Sequence, residues 1–260
     1  MPADLGFAPV SILLLAAGFA GFVDAIVGGG GLIQIPALFS VLPRELPATL
    51  FGTNKLSAVF GTMNAAWRYA ARVRIPWRST LPAALAAFAF SYAGAAAVAL
   101  LPKDALRPLI LILLVVSAIY TLRRKEFGTI HRPAHTGARE LIFAVTAGAA
   151  IGFYDGFFGP GTGSFLILLF IRFFGFDFLH ASAAAKVVNV ATNLAALSFF
   201  IPNGYWIPVL GVLMAACNVG GSWIGTHLAL KHGSGFVRKI FLVVVAGLIV
   251  RFGWDTIRAL

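Results

Sequence analysis

The sequence predicts an all-α polytopic membrane protein built from two homologous halves. Three observations support this prediction: the chain is strongly apolar, it contains many apolar stretches of membrane-spanning length, and it resembles itself at a fixed offset. Of its 260 residues, 60% are hydrophobic and 11% are charged, whereas soluble domains carry about 25% charged residues. The composition therefore excludes an ordinary cytosolic enzyme, a disordered chain and a nucleic-acid-binding protein.

The net charge of +11 has a specific meaning in a membrane protein. In a soluble protein a basic surplus indicates an acidic partner, but in a membrane protein Lys and Arg collect in cytoplasmic loops and record topology. The single cysteine, Cys217, excludes an intramolecular disulfide. No spacing typical of metal ligands is present, so neither a metal nor another cofactor is expected.

Eight stretches reach the length of about 20 mostly apolar residues that a spanning helix needs. The first residues lack the basic region of a secretory signal peptide, so the first stretch is expected to stay in the mature protein. Two further apolar pieces, residues 32–42 and 163–175, each follow a glycine cluster and are too short to cross alone. The predicted spans are residues 6–27, 46–70, 79–101, 105–123, 141–158, 177–200, 207–230 and 236–256.

An internal repeat is visible when the sequence is shifted by 131 residues, which places GFVDAIVGGGG on GFYDGFFGPGT. The same register, without a gap, places Asp24 on Asp155 and Lys55 on Lys186. Glycines match easily by chance, but an Asp and a Lys inside predicted spans do not. The sequence therefore predicts a duplication, with a first repeat over 1–125, a basic cytoplasmic linker over 126–135 and a second repeat over 136–260.

The charges of the loops favour inverted over parallel repeats. If each glycine cluster turns the chain back, residues 6–42 and 141–175 form re-entrant hairpins, three full spans follow in each half, and both termini lie outside. If each first segment instead crosses once as a broken helix, each half has four spans and the repeats are parallel. The inverted arrangement leaves the larger basic surplus on the cytoplasmic side, and it places the uncharged loop 201–208 outside.

The glycine clusters predict a break in the first helix of each half, because each glycine inside a helix costs about 1 kcal/mol relative to Ala. Helices that restart at Leu32 and Ser164 would expose N–H groups and a positive dipole end at membrane depth, which suits an anion. Close helix packing through small residues is the alternative explanation. The matched clusters favour a discontinuous binding element; they are Gly28, Gly29, Gly30 and Gly31 in the first repeat and Gly159, Gly161 and Gly163 in the second.

Lys55 and Lys186 are predicted to lie within the membrane, where a charge costs about 2.5–3.5 kcal/mol on insertion scales. Each therefore needs an anionic partner, either a substrate or a carboxylate, and Asp24 and Asp155 are the available carboxylates. Two structural Asp–Lys pairs are one interpretation. In the other, each Lys turns from its Asp to an anionic substrate, and the released Asp takes up a proton, which couples transport to proton movement.

Neutral polar side chains accompany both lysines. Thr53 and Asn54 precede the first, while Asn189 and Asn193 follow the second at helical spacing and share one face. Amide and hydroxyl donors beside an ammonium group suit a small oxyanion, and interhelical hydrogen bonding is the structural alternative. Two weaker candidates lie near the glycine turns, namely Gln34 and Tyr154.

These segments closely resemble the TauE/SafE family of sulfite-exporter-like membrane permeases: GFVDAIVGGGGLIQIPAL with ATLFGTNKL, and GFYDGFFGPGTGSF with AAAKVVNVATN. The resemblance covers essentially the whole chain, and it is closest to bacterial inner-membrane members. It implies about eight spans and the transport, often outward, of small anions such as sulfite, sulfonates or related sulfur-containing carboxylates. The family's TNK motif falls on residues 53–55 and its glycine motifs on the two clusters. Pro160 and the Ala184–Ala185 pair make the two half-sites unequal.

Together, these patterns predict a secondary transporter of the bacterial inner membrane that exports a small, sulfur-containing anion by alternating access. A passive anion channel and a non-transporting membrane subunit of a sulfur-metabolism system are the alternatives. An enzyme is not expected, because no nucleophile with a neighbouring base is visible. The expected partners are the small anion and the lipid bilayer, without nucleic acid, and the sequence is compatible with a homo-oligomer.

Overall fold

A computed structural model of the chain describes residues 6–100 and 137–259, with side chains beyond Gly233 described for Phe236 and Lys239 only. Over these residues the chain forms α-helices and no strand, which confirms the predicted all-α class. The last helix contains a non-helical residue, Gly233, with φ of 73°. The helices are α1 (Phe7–Val27), α2 (Gly31–Val41), α3 (Pro47–Ala70), α4 (Trp77–Ala99), α5 (Ala138–Phe157), α6 (Thr162–Phe174), α7 (Phe178–Phe200) and α8 (Pro208–Ala259).

Five described helices are long and apolar enough to cross a membrane: α1, α4, α5, α7 and the Pro208–Gly233 part of α8. The 24-residue α3 has the length of a span but is not among them, because polar residues interrupt its apolar sequence. Most of these polar side chains, Lys55 included, are buried inside the protein, which is where a membrane helix places an ionisable group. The predicted span 105–123 and the linker 126–135 lie outside the described residues, and the predicted span 236–256 falls in α8 beyond Gly233.

The first residues of the helices recur at the 131-residue offset seen in the sequence. The helices α1 to α4 begin at residues 7, 31, 47 and 77, and α5 to α8 begin at residues 138, 162, 178 and 208. Each start in the second set lies 131 residues after its counterpart. The short helices α2 and α6, with 11 and 13 residues, follow the glycine clusters in both sets.

The first glycine cluster turns the chain back along α1. A Cβ on Gly30 would lie 2.7 Å from the carbonyl oxygen of Ala20, so the start of α2 packs on the last turns of α1. Further along, Leu38 of α2 shares a hydrophobic cluster with Leu13 and Ala17 of α1. At a rise of 1.5 Å per residue, α2 returns about half way across a hydrocarbon core of about 30 Å.

The second cluster does the same between α5 and α6. Near the turn, the rings of Tyr154 and Phe165 meet edge to face with centroids 5.5 Å apart. At the far end of the hairpin, Phe143 stacks on Phe173 with centroids 6.0 Å apart. Both first segments are therefore re-entrant hairpins rather than single broken crossings.

The two halves run in opposite directions. At one end of α3, Gly52 packs against Phe200, the last residue of α7. At the other end, Tyr69 lies beside Ser182 near the start of α7. The corresponding helices α3 and α7 are therefore antiparallel, which is the geometry of an inverted repeat.

Glycine and other small residues join the halves along two parallel helix pairs, α1 with α8 and α4 with α5. Side chains this small let the two backbones approach closely, which is the usual basis of packing between membrane helices. A Cβ on Gly221 of α8, for example, would overlap the carbonyl oxygen of Gly18 in α1. Similar contacts on the second pair join Gly148 to Ala83, Gly152 to Ala87 and Gly156 to Ser91.

Gly221→Ala should lower the thermal unfolding midpoint of the purified protein in detergent, because the added methyl group overlaps the α1 backbone. Overpacking of this kind costs about 1–3 kcal/mol. The neighbouring Gly220 offers a matched control, since a Cβ there meets nothing within 4 Å. We expect Gly220→Ala to leave the midpoint unchanged or slightly raised, and equal losses in the two variants would contradict the packing.

The inverted arrangement predicts that the α3–α4 loop and the α7–α8 loop lie on opposite sides of the membrane. Arg72 and Asn203 are exposed residues of these loops and are counterparts at the 131-residue offset. In a Cys217→Ser background, a membrane-impermeant maleimide added to intact cells should label the Asn203→Cys variant and not the Arg72→Cys variant, because basic loops stay cytoplasmic. If both variants are labelled in intact cells, or if neither is labelled until the cells are opened, the two loops lie on the same side and the repeats are parallel.

Candidate functional site

The turns of the two re-entrant hairpins meet inside the protein. Gly28 ends α1 with φ of 78°, and a Cβ there would overlap the backbone of Gly163 in α6. The approach is equally close from the other side, since a Cβ on Gly163 would lie 2.5 Å from the Cα of Gly28. Gly31 approaches Pro160, with 3.2 Å between its would-be Cβ and the proline Cα. Glycine is required at this meeting point for left-handed backbone and for close approach.

The expectation of free N–H groups at Leu32 and Ser164 is wrong. The amide of Ser164 donates to the Gly28 carbonyl oxygen with an N–O distance of 3.2 Å, and its hydroxyl donates to the Val27 carbonyl at 2.8 Å. The amide of Leu32 donates to the Gly29 carbonyl at 3.1 Å. The last carbonyls of α1 thus accept hydrogen bonds from the first turn of α6, which pairs groups that a helix end otherwise leaves unsatisfied.

Lys55 of α3 forms an ion pair with Asp155 of α5, and its Nζ lies 2.5 Å from Oδ2. Both side chains are almost fully buried, with exposed fractions of 4% and 6%. The second glycine turn borders the pair, because a Cβ on Gly159 would lie 3.3 Å from the lysine Nζ. With φ of 89°, Gly159 holds a backbone conformation that other residues rarely adopt.

Lys186 of α7 pairs with Asp24 of α1, with 2.9 Å between Nζ and Oδ2. The ammonium group also donates to the backbone carbonyl of Asp24. Lys186 is fully buried, whereas the Asp24 side chain is 19% exposed. This carboxylate has a second contact, since the hydroxyl of Thr62 lies 3.4 Å from Oδ2.

The two ion pairs cross between the halves. Each joins an Asp from the hairpin of one repeat to the Lys of the other repeat, so the four charges cancel at the place where the hairpins meet. Removing one partner of a buried pair costs about 3–5 kcal/mol, while replacing both by neutral groups is often tolerated. The arrangement therefore holds two ammonium groups at membrane depth without a net charge.

Asn54, next to Lys55 in the chain, and Asn189 contribute unused hydrogen-bonding groups. Both are buried, and within the part of the chain that the structure describes their side-chain oxygens have no hydrogen-bond partner. The structure brings Asn189 to the hairpin tips, because a Cβ on Gly163 would lie 2.9 Å from its Nδ2. Asn193 is buried one turn further along the same helix. An amide that rotates by a half-turn exchanges its acceptor for its donor, so it can serve either kind of bound group.

Two predicted polar residues have structural partners instead. The Thr53 hydroxyl donates to the Thr49 carbonyl at 2.7 Å and accepts from the Ile207 amide at 3.0 Å, which attaches α3 to the start of α8. The Tyr154 hydroxyl donates to the Pro160 carbonyl at 2.7 Å and braces the second glycine turn.

Thr62 and Asn218 are not among the residues predicted for the site. Thr62, which contacts the Asp24 carboxylate, corresponds to Asn193 at the 131-residue offset, so the repeat contains a signal that points to it. Asn218 donates to the side-chain oxygen of Gln34 at 3.2 Å, and its own counterpart in the first repeat is an alanine. No pattern in the sequence distinguishes it from a helix-packing residue.

Comparison with known proteins gives a consistent result. A protein-family model described as "Sulfite exporter TauE/SafE" matches residues 13–252. The chain is 35% identical over 249 residues to "Probable membrane transporter protein ORF9" of Sinorhizobium sp, which covers 95% of this chain and 94% of that protein. It is 34% identical over 247 residues to "Probable membrane transporter protein YfcA" of Escherichia coli strain K12, covering 95% and 90%.

A third relative, from Haemophilus influenzae, is called "Probable membrane transporter protein" and is 30% identical over 96% of this chain and 98% of its own length. No solved structure matches the chain significantly. The family and the relatives' names indicate a membrane transporter and not an enzyme. Since the family model and the relatives cover nearly the whole sequence, the chain belongs to the sulfite exporter TauE/SafE family.

Proposed function

We propose that this chain is a secondary transporter of the bacterial inner membrane that exports a small anion of the sulfite, sulfonate or related sulfur-containing class. The family description supports the anion class and the outward direction. The observation on which the site depends is the pair of buried lysines, each held by an Asp of the opposite repeat where the hairpins meet. Both repeats therefore contribute to each half of the site.

In this proposal the anion binds to a lysine ammonium group after displacing its carboxylate. The resting site has no net charge, because two Lys and two Asp balance. An anion that enters adds a negative charge in surroundings of low polarity, and uptake of a proton by the displaced Asp restores neutrality. Asn54, Asn189 and Asn193 supply additional hydrogen bonds to the oxygens of the anion.

The pair Lys186–Asp24 is the better candidate to open first. Its carboxylate is 19% exposed, against 6% for Asp155, so Asp24 reaches water and protons more readily. The Thr62 hydroxyl beside Asp24 can hydrogen-bond either the charged or the protonated carboxyl group. We therefore assign Asp24 as the principal proton acceptor and Asp155 as the carboxylate that mainly balances charge.

The inverted repeats support alternating access as the mechanism. Rocking of one repeat against the other has to separate the hairpin tips, and with them the contacts between Gly28 and Ser164. Because both ion pairs join the two repeats, exchange of an Asp for a substrate changes the interactions that hold the halves together. A passive channel has no such requirement. A flux that saturates with substrate and couples to protons indicates a transporter, whereas a flux that passively follows the voltage indicates a channel.

Lys55→Gln should destabilise the protein, because it leaves the buried Asp155 carboxylate without its partner, at a cost of about 3–5 kcal/mol. The double variant Lys55→Gln/Asp155→Asn removes both charges and should recover most of the thermal stability. We expect both variants to lose anion-dependent stabilisation by sulfite and small sulfonates in a thermal-shift assay. If the double variant recovers stability and also keeps this stabilisation, the Lys55–Asp155 pair is structural and does not contribute to the anion site.

Asp24→Asn should uncouple anion flux from protons, measured in proteoliposomes with a pH gradient and a controlled membrane potential. A monoanion that moves with one proton carries no net charge across the membrane. The free energy of moving an uncoupled monoanion instead changes by about 2.3 kcal/mol per 100 mV of membrane potential. We therefore expect flux in the variant to depend more steeply on voltage and less on pH. Asp155→Asn serves as the comparison, with a smaller change, and unchanged coupling in both variants would rule out these carboxylates.

A further inference from the structure

A basic pocket lies between α3 and α8, and no residue of the hairpins lines it. It has a volume of about 530 Å³ and is formed by the last turn of α3, the start of the α3–α4 loop and the part of α8 that precedes Gly233. The side chains that give it its character are Trp67, Arg68, Arg72, Trp223, His227 and Lys231.

The aromatic residues of this pocket hold one of its cations in place. The guanidinium carbon of Arg68 lies 4.9 Å from the ring centroid of Trp223, which is the distance of a cation–π interaction. The same indole stacks on the ring of His227, with centroids 6.1 Å apart and planes 10° apart. The Trp223 ring therefore contacts both Arg68 and His227, and it holds the guanidinium group of Arg68 at the pocket before any ligand arrives.

The pocket lacks an anion of its own. Three basic side chains, Arg68, Arg72 and Lys231, line it, and no Asp or Glu is among its lining residues in the described part of the chain. The ion pairs found over the described residues involve none of the three. Guanidinium groups bind phosphate oxygens through paired, charge-assisted hydrogen bonds, so a phosphate group fits both the charge and the donors.

The position of the pocket selects a lipid as the source of that phosphate. It lies where two membrane helices reach the boundary on the α3–α4 side, and Trp67 and Trp223 remain 74% and 56% exposed there. Tryptophan at this level sits among lipid headgroups, with its ring beside the acyl chains. Basic pockets between membrane helices on the cytoplasmic side bind anionic headgroups.

We propose that the Arg68–Arg72–Lys231 pocket binds the phosphate headgroup of an anionic phospholipid. The phosphate lies between the guanidinium groups and the Lys231 ammonium group, and the acyl chains leave along the exposed faces of Trp67 and Trp223. The site is independent of the substrate site, since none of its residues belongs to the hairpins or the buried ion pairs.

Native mass spectrometry of the full chain provides the test, with phosphatidylglycerol, phosphatidylcholine and inorganic phosphate as separate probes. We expect retained phosphatidylglycerol, little phosphatidylcholine, and no effect of millimolar inorganic phosphate on the retained lipid. Each basic residue near a charged membrane contributes about fivefold in affinity, so the variant Arg68→Gln/Arg72→Gln/Lys231→Gln should bind phosphatidylglycerol about a hundredfold more weakly. Displacement by inorganic phosphate would instead assign the pocket to a soluble phosphate.

A control variant with the same change in net charge is available on the same side of the membrane. Arg78 begins α4, Arg139 begins the parallel α5, and Arg172 ends the returning α6; all three are exposed and lie outside the pocket. Arg78→Gln/Arg139→Gln/Arg172→Gln should keep most of the bound lipid, and an equal loss would show general attraction in place of a site. The single variant Lys231→Gln changes only an exposed side chain, so its expected fivefold loss tests the pocket without risk to folding, and retention of full affinity would overturn the proposal.

Discussion

Two crossed Lys–Asp pairs are the interaction on which the rest of this structure depends. A lone ammonium group in the interior of a membrane protein is costly, and each lysine here obtains its carboxylate from the other repeat. Neither repeat can therefore satisfy its own charges. This requirement explains why the hairpin of each repeat packs against the other repeat. There its Asp contacts a Lys that lies about two turns after the start of α3 or α7.

The glycine turns follow from the same requirement. Asp24 and Asp155 each lie four residues, or about one helical turn, before a glycine with positive φ at the turn of the hairpin. Each carboxylate is thereby placed beside the tip of its hairpin. The two tips can overlap only where both backbones lack side chains, as between Gly28 and Gly163, and the amide of Ser164 completes the contact with an α1 carbonyl. The clusters therefore serve close packing and chain reversal together.

Much of the fold is encoded in local patterns, and the site is encoded only partly. Apolar length and glycine breaks predict the described helices, and the loop charges favour hairpins over single broken crossings. The matched charges reveal the offset that recurs in the helix starts. The partner of each lysine is not a local property, because it depends on how the antiparallel α3 and α7 cross the hairpins. For the same reason, the sequence cannot show that the Thr53 hydroxyl accepts a hydrogen bond from the Ile207 amide, or that the Ser164 amide donates one to the Gly28 carbonyl.

The inequality of the two ion pairs has a consequence for a transporter with inverted repeats. In such a protein the inward-open and outward-open states are related by exchanging the conformations of the repeats, so identical repeats would give the two states equal free energies. Here the repeats differ in residue at matched positions, because Thr62, which contacts Asp24, corresponds to Asn193, and Gly29 of the first glycine cluster corresponds to Pro160 of the second. Exchange of the repeat conformations therefore does not reproduce the same surroundings for the two ion pairs. Under the proposed mechanism, this difference separates the energies of the two states and gives the resting protein a preferred side.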